Sequence, residues 1–341
     1  MKLRPLYSTE LGHAYHGNAV TVLRALRRTY RNQVQLIFTS PPFALNRKKK
    51  YGNLTGREYI KWLVQFAPIF VDLLTADGSI VIELGNGWEP GQPTMSTLPL
   101  EALLAFKRAG RFHLCQEFVC FNPARLPSPA QWVNVERCRV KDAFTRVWWL
   151  ARTARPKADN RKVLTGYSES MLKLLDKGTY NSGPRPSEFV IGETSFLKDN
   201  SGAIPPNVLA ASLKDILAEM TADPYNMFSL ANTKSSDLYQ DYCRSNGITP
   251  HPARMPAKLV EFFVRFLTDA NDLVLDPFAG SNTTGAVADS QARRWIAIEI
   301  DREYIKASRA RFPGPFQRQM SIWAGQHVTE ARKRAAHAGS A

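Results

Sequence analysis

Leu273-Val274-Leu275-Asp276-Pro277-Phe278-Ala279-Gly280-Ser281-Asn282-Thr283-Thr284-Gly285 reads as an apolar strand, a glycine-containing turn and the opening of a helix. A short apolar run closed by such a turn suits a strand buried on both faces. Downstream, Trp295-Ile296-Ala297-Ile298 reads as a second strand and ends on Glu299. Strand, glycine turn, helix and an acid roughly 20 residues on is the layout of a nucleotide site in an open α/β sheet. The glycine allows close backbone approach, and the carboxylate accepts from ribose hydroxyls. The single turn glycine departs from the dinucleotide fingerprint. Ser281, Asn282, Thr283 and Thr284 offer polar groups in place of a phosphate cradle.

Far upstream, Val34-Gln35-Leu36-Ile37-Phe38 reads as another buried strand, and Thr39-Ser40-Pro41-Pro42-Phe43 follows it. Chemistry in α/β sheets collects outside the carboxyl ends of strands. Two prolines have no N–H and fix φ, so the carbonyls around them point in set directions. The Ser40 hydroxyl and Pro41 carbonyl form a rigid acceptor pair for an amino group, and Phe43 offers a flat apolar face for a planar base. An ordinary proline-rich turn after a strand is the competing reading, because short motifs match by chance.

At 341 residues the chain has room for one large domain and a smaller region. No apolar run approaches a membrane span, and Met1-Lys2-Leu3-Arg4-Pro5 lacks a signal-peptide core, so a cytoplasmic protein is expected. The formal charge is +15. Basic residues cluster at Arg24, Arg27, Arg28 and Arg31, at 47–50, at 152–162 and at 332–334. A polyanion such as DNA is the natural partner, with a generally basic surface as the alternative. Cys115, Cys120, Cys138 and Cys243 form no C-x-x-C pair, so no metal is expected.

The two strand-and-turn stretches together resemble the amino-DNA methyltransferases that use S-adenosylmethionine. Their order, Ser40-Pro41-Pro42-Phe43 first and Asp276 to Gly285 last, is similar to the circularly permuted β class and, within it, to the cytosine-N4 group. The resemblance also takes in Lys48-Lys49, Tyr51-Gly52-Asn53-Leu54, Phe121-Asn122-Pro123, Leu126-Pro127-Ser128-Pro129, Val147-Trp148-Trp149 and His251-Pro252-Ala253-Arg254. It implies a Rossmann-like, permuted, mostly parallel sheet with one antiparallel strand and a smaller target-recognition region. It implies methyl transfer to an exocyclic amine of a flipped base in duplex DNA. Ser40, Pro41, Pro42 and Phe43 would be catalytic. Asp276, Phe278, Ala279, Gly280, Ser281, Asn282, Thr283 and Glu299 would hold the cofactor, with His251, Pro252 and Arg254 closing over its methionine end. Asn18 stands where the family typically has an aspartate that receives the adenine amino group, and its amide oxygen can accept in that place. No proline precedes any cysteine, which disfavours the ring-carbon cytosine enzymes of related chemistry. An adenine-N6 enzyme on the same fold and a non-catalytic DNA-binding protein stay open. A restriction endonuclease is the expected functional counterpart, and the chain itself is expected to be a monomer or homodimer.

In chain order, Ala14 to Val20 reads as a strand end and a helix start, with Val22, Leu23 and Leu26 inward. The basic stretch 44–53, with Arg47, Lys48, Lys49 and Lys50, reads as a loop closing over DNA or as a plain solvated loop. Glu58 to Leu74 has helical apolar spacing, Asp77-Gly78 is a turn, and Ser79 to Ile82 is a strand leading to Glu83. Glu83 then shares the sheet edge with Ser40, where it either polarises Ser40 or ties down the glycine turn that follows. Leu98 to Lys107 reads as a helix, and Phe112 to Phe121 with Phe144 to Leu150 as a hairpin containing Trp148 and Trp149 as core. The expected divisions are 1–154 and 250–315 as the two halves of the catalytic domain, 155–249 as the target-recognition region and 316–341 as a basic tail. Arg185 is the DNA-contact candidate in the recognition region, which also holds a helical stretch Leu213 to Met220. His251 is expected to open an amphipathic helix with Leu259, Phe262, Phe263 and Phe266 inward, and Tyr304 to Arg311 to be helical.

Overall fold

The structure is a computed structural model and describes residues 3–43, 54, 56–122, 125–210 and 237–312. The basic residues Arg47, Lys48, Lys49 and Lys50, the helical stretch Leu213 to Met220 and the tail 316–341 lie outside the described residues.

The frame is one nine-stranded sheet. In chain order its strands are β1 (Tyr7–Ser8), β2 (Gly12–His16), β3 (Val34–Thr39), β4 (Leu74–Leu84), β5 (His113–Phe121), β6 (Phe144–Ala151), β7 (Val208–Ala210), β8 (Leu273–Asp276) and β9 (Arg294–Glu299). Across the sheet they run β1-β2-β9-β8-β3-β4-β6-β5-β7. The strand carrying Ser40 and the strand carrying the glycine turn are therefore neighbours, paired in parallel with Val274 opposite Leu36 and Leu275 opposite Ile37. Every residue of β3 and β8 is buried. Their uninterrupted apolar runs suit the middle of a sheet covered on both faces.

Alternation along β3 feeds two cores. Ile37 packs with Leu23, Phe70, Phe106 and Ile80 on one face. Leu36 and Phe38 pack with Phe263, Val264 and Trp295 on the other. Helices α1 (Ala19–Leu26), α2 (Gly56–Val64), α3 (Phe66–Leu73) and α4 (Leu98–Gly110) supply the first core. The second takes Leu259 to Leu267 of α7 (Ala257–Leu267) and Ala288 of α8 (Thr283–Ser290). The 155–249 stretch contributes α5 (Glu169–Lys177) and α6 (Leu238–Ser245), and α9 (Arg302–Ala307) follows β9.

Four local expectations are corrected. Two strands, β1 and β6, run against the rest, where one was expected. The helix expected over 58–74 is two helices, because Pro68 has no N–H to donate to Val64 and the ladder breaks at Gln65. Asp77-Gly78 is not a turn ahead of the strand. β4 already begins at Leu74, opposite Val34, and Ser79 stands opposite Leu36, so Thr75 to Gly78 form a bulge inside it. His251 precedes α7 by an irregular segment instead of opening it. Phe263 on α7 is fully buried, while Phe262 and Phe266 are half-buried and pack edge-on against Phe118 and Trp149.

The 155–249 stretch adds β7 to the edge of the main sheet, parallel to β5. None of the described helices is long and apolar enough to cross a membrane.

Candidate active site

Asp276 ends β8 beside the end of β3. Its Oδ1 accepts from Thr39 Oγ1 at 2.9 Å and from the Phe278 N–H at 3.0 Å. Its Oδ2 accepts from Thr284 Oγ1 at 2.7 Å. Both oxygens are thus engaged by protein groups, and the carboxyl ties the residue before Ser40 to the glycine turn. Burial pushes its pKa up from 3.8 to about 6, against the pull of those three hydrogen bonds, with the Glu299 charge adding to the rise. A carboxyl that holds its proton more tightly when folded favours the fold at low pH, and that contribution is lost as pH rises through about 6. The difference is on the order of 3 kcal/mol. The cofactor-free protein should therefore unfold at higher urea near pH 5 than near pH 7, and Asp276→Asn should remove much of that slope. An unchanged slope in the variant would show that Asp276 does not titrate in this range.

The glycine turn is built for close approach. Gly280 has φ +51°, and a Cβ placed there would come within 3.1 Å of the His251 ring. The His251 ring meets Tyr304 edge-on at 4.8 Å. Glu299 Oε2 accepts from the Gly280 N–H at 2.8 Å and Oε1 from the Asp301 N–H at 2.9 Å. Burial raises the Glu299 pKa against the backbone hydrogen bonds it accepts from Asp301, Gly280 and Ile300, and its carboxyl lines the cavity.

Asn282 is corrected. It is fully buried at φ +54°, and its side chain points away from the cavity. Its Oδ1 accepts from Gly285 N at 3.0 Å, capping α8, and its Nδ2 donates to Tyr7 Oη at 3.0 Å. Asn18 is corrected in part. It stands on the cavity wall, but its amide oxygen accepts from Val20 N and Thr21 N at 3.0 and 3.3 Å and caps α1. That oxygen is therefore committed to the helix, as expected of an N-cap asparagine.

The two strand ends open onto one cavity of about 460 Å³. Phe278, Ala279, Gly280, Ser281, Thr283, Glu299, His251 and Arg254 line one part of it, together with the Trp62 and Phe66 rings that pack against Phe278. Ser40, Pro41, Pro42, Phe43, Glu83, Arg125 and Thr145 line the other. Pro252 does not reach the wall, although its neighbours His251 and Ala253 do. Arg185 lies away from the cavity as well. Its guanidinium donates to the Asn181 carbonyl and lies over the Tyr180 ring. The Phe43 ring rests on Gly85, where a Cβ would come within 2.6 Å of it. Only a glycine leaves that space.

Glu83 hydrogen-bonds to Ser40 and to Thr145, and these bonds favour its charged form while burial pushes its pKa up. Glu83 and Ser40 line the same part of the cavity, with the carboxyl within reach of the hydroxyl.

An ionic knot supports the glycine turn from outside. Arg311 Nε donates to the Ser281 carbonyl at 2.7 Å and Nη2 to Ser281 Oγ at 3.1 Å. Asp237 pairs with Arg311 at 3.2 Å and with Arg254 at 3.6 Å, and the Arg311 guanidinium lies over the Tyr239 ring. Reasoning from sequence missed Arg311, Asp237, Tyr304, Arg125 and Thr145. None sits in a motif with a spacing rule, and Arg125 was quotable only as a residue just before Leu126-Pro127.

The chain is similar to known proteins. A family model described as DNA methylase matches residues 34–310. The chain is 42% identical over 311 residues to the type II methyltransferase M.PvuII of Proteus hauseri, covering 91% of this chain and 86% of that one. A solved structure titled PvuII DNA methyltransferase (cytosine-N4-specific) superposes with a TM-score of 0.68 at 37% identity, covering 92% of this chain and 90% of the other. A short stretch of 56 residues, 16% of the chain and 19% of the relative, is 50% identical to the DNA adenine methyltransferase YhdJ of Escherichia coli.

Proposed function

Because the chain belongs to the DNA methylase family, we propose that it transfers a methyl group from S-adenosylmethionine to the exocyclic N4 amine of a cytosine flipped out of duplex DNA. The observation that carries this reading is that Ser40, Pro41 and Glu83 line the same cavity as Gly280 and Glu299. A short acceptor for an amine and a nucleotide-type turn share one enclosed space.

When bound, S-adenosylmethionine supplies an electrophilic methyl group on its sulfonium. Glu299 would take its ribose hydroxyls, the Phe278 face with Trp62 and Phe66 its apolar ring, and Ser281, Thr283, His251 and Arg254 its methionine end. The aromatic cluster, the buried carboxylate and the polar glycine turn on the cavity wall suit those three parts.

The amine is a weak nucleophile because its lone pair is delocalised into the ring. Ser40 donates its hydroxyl proton to Glu83, which leaves Oγ free to accept an N–H from the amine. The Pro41 carbonyl takes the other N–H. Two acceptors in fixed positions localise the lone pair toward the methyl group, and holding the reactants in line does much of the rest. Methylation releases a proton. Ser40 and Glu83 provide its path, and a carboxylate with a raised pKa is a better proton acceptor than an ordinary one. Phe43, fixed on Gly85, would stack on the flipped base.

Double-stranded DNA is the partner in this reading, the cytoplasm the location, and a cognate restriction endonuclease the functional counterpart. The direct test is to methylate plasmid DNA with the purified protein, digest it to nucleosides and identify the product by mass. N4-methylcytosine is expected. N6-methyladenine as the main product would overturn the substrate while leaving the family and the cofactor in place.

A further inference from the structure

The wall that holds Ser40 and Glu83 also carries a guanidinium that methyl transfer itself does not use. Arg125 lines the cavity, and its positive field reaches Glu83. Three hydrogen bonds hold it there. Its backbone N–H donates to the Asn122 carbonyl at 3.2 Å, closing a turn, and the Asn122 N–H donates to the Ala143 carbonyl at 2.8 Å, tying that turn to the β5–β6 hairpin. Its Nη1 donates to the Phe144 carbonyl at 2.9 Å. A guanidinium has five N–H donors in a planar fork, so donors remain for a ligand after that bond is made.

The acceptors at Ser40 and Pro41 do not distinguish cytosine from adenine, because both bases present an amine with two N–H groups. The far end of the same edge does differ. Cytosine carries the carbonyl oxygen O2 there, and adenine carries a C–H. A donor fixed opposite that position gains a charge-assisted hydrogen bond with cytosine and is left desolvated and unpaired with adenine. Sites built around such a bond reject the analogue that lacks it far more strongly than apolar pockets do.

We infer that Arg125 reads O2 of the target base and is the residue that excludes adenine from the pocket. This rests on the reading of the pocket as a site for an exocyclic amine.

The experiment uses a duplex carrying the site mapped for the wild-type enzyme, with the target cytosine intact or replaced by 2-thiocytosine. The thio base keeps the amine and puts a weaker acceptor at O2. Wild-type kcat/KM should fall at least about tenfold on the thio base. Arg125→Met should lose roughly 10- to 100-fold on cytosine, keep its S-adenosylmethionine affinity by calorimetry, and no longer distinguish the two bases. Arg125→Lys, which keeps a donor, should keep much of the discrimination. Equal losses by Arg125→Met on both duplexes would reduce Arg125 to a prop for Phe144 and overturn the inference. So would a wild-type enzyme indifferent to the sulfur, a result that needs no variant to fold. A wild-type product of N6-methyladenine would instead sink the underlying reading of the pocket. N4-methylcytosine with discrimination intact in Arg125→Met would sink the role of Arg125 alone.

Discussion

Ser40→Ala should leave cofactor and DNA affinity near wild-type values and lower kcat by roughly 10²- to 10⁴-fold. The hydroxyl sits on the cavity wall beside Glu83, and Ser40 belongs to neither buried core. The Thr39–Asp276 bond, one residue away, is untouched by the change. Removing Oγ takes away one of the two amine acceptors and cuts the proton path to Glu83. Both matter most while the new C–N bond forms, so the loss falls on kcat and leaves binding alone. Single-turnover methyl transfer with saturating S-adenosylmethionine measures it, with calorimetry as the binding control. Turnover within a few-fold of wild type would remove Ser40 from the reaction.

Glu299→Ala should weaken S-adenosylmethionine binding by about 1.5–3 kcal/mol, the usual worth of a hydrogen bond to a charged group, and leave DNA binding nearly intact. The geometry gives this residue two tasks. It offers lone pairs to the cavity, and it holds the Gly280 and Asp301 N–H groups. Alanine loses both, so the glycine turn loosens as the ribose contact disappears. Glu299→Gln separates the tasks, because an amide keeps one acceptor oxygen and turns its NH₂ toward one of the two N–H groups. The expected order of affinity is wild type, then glutamine with a small deficit, then alanine. Calorimetry with the three proteins gives that order, and equal affinity across them would displace the cofactor from this turn.

The adjacency of β3 and β8 was legible from the sequence. Both are continuous apolar runs, and both end in a turn with chemistry on it. The place of Asp276 at the strand end was legible, although its part as a tie between strands needed Thr39 and Thr284 in place. Asn282 was not legible, because its left-handed backbone and its bond to Tyr7, 275 residues away, leave no mark on local spacing. Asn18 misled for a related reason, since a residue at the position of a family carboxylate is also a good helix cap. Arg311 and Asp237 are single charges at helix ends, and only tertiary packing brings them onto Ser281. The Asp77-Gly78 pair carried a true signal with the wrong scale. It marks a change of direction, but inside a strand and not between elements.

The seam between β3 and β8 joins residues 237 positions apart, as the Thr39–Asp276 bond shows. A ribosome adds about 5–20 residues per second. For tens of seconds during synthesis, then, the strand bearing Leu36 and Phe38 has β4 on one side and nothing on the other. Bare edges of apolar strands invite pairing with other chains, so the nascent protein is most prone to aggregate before β8 emerges. The same delay keeps every unfinished chain inert, because no growing polypeptide can assemble the cavity until Glu299 has cleared the exit tunnel.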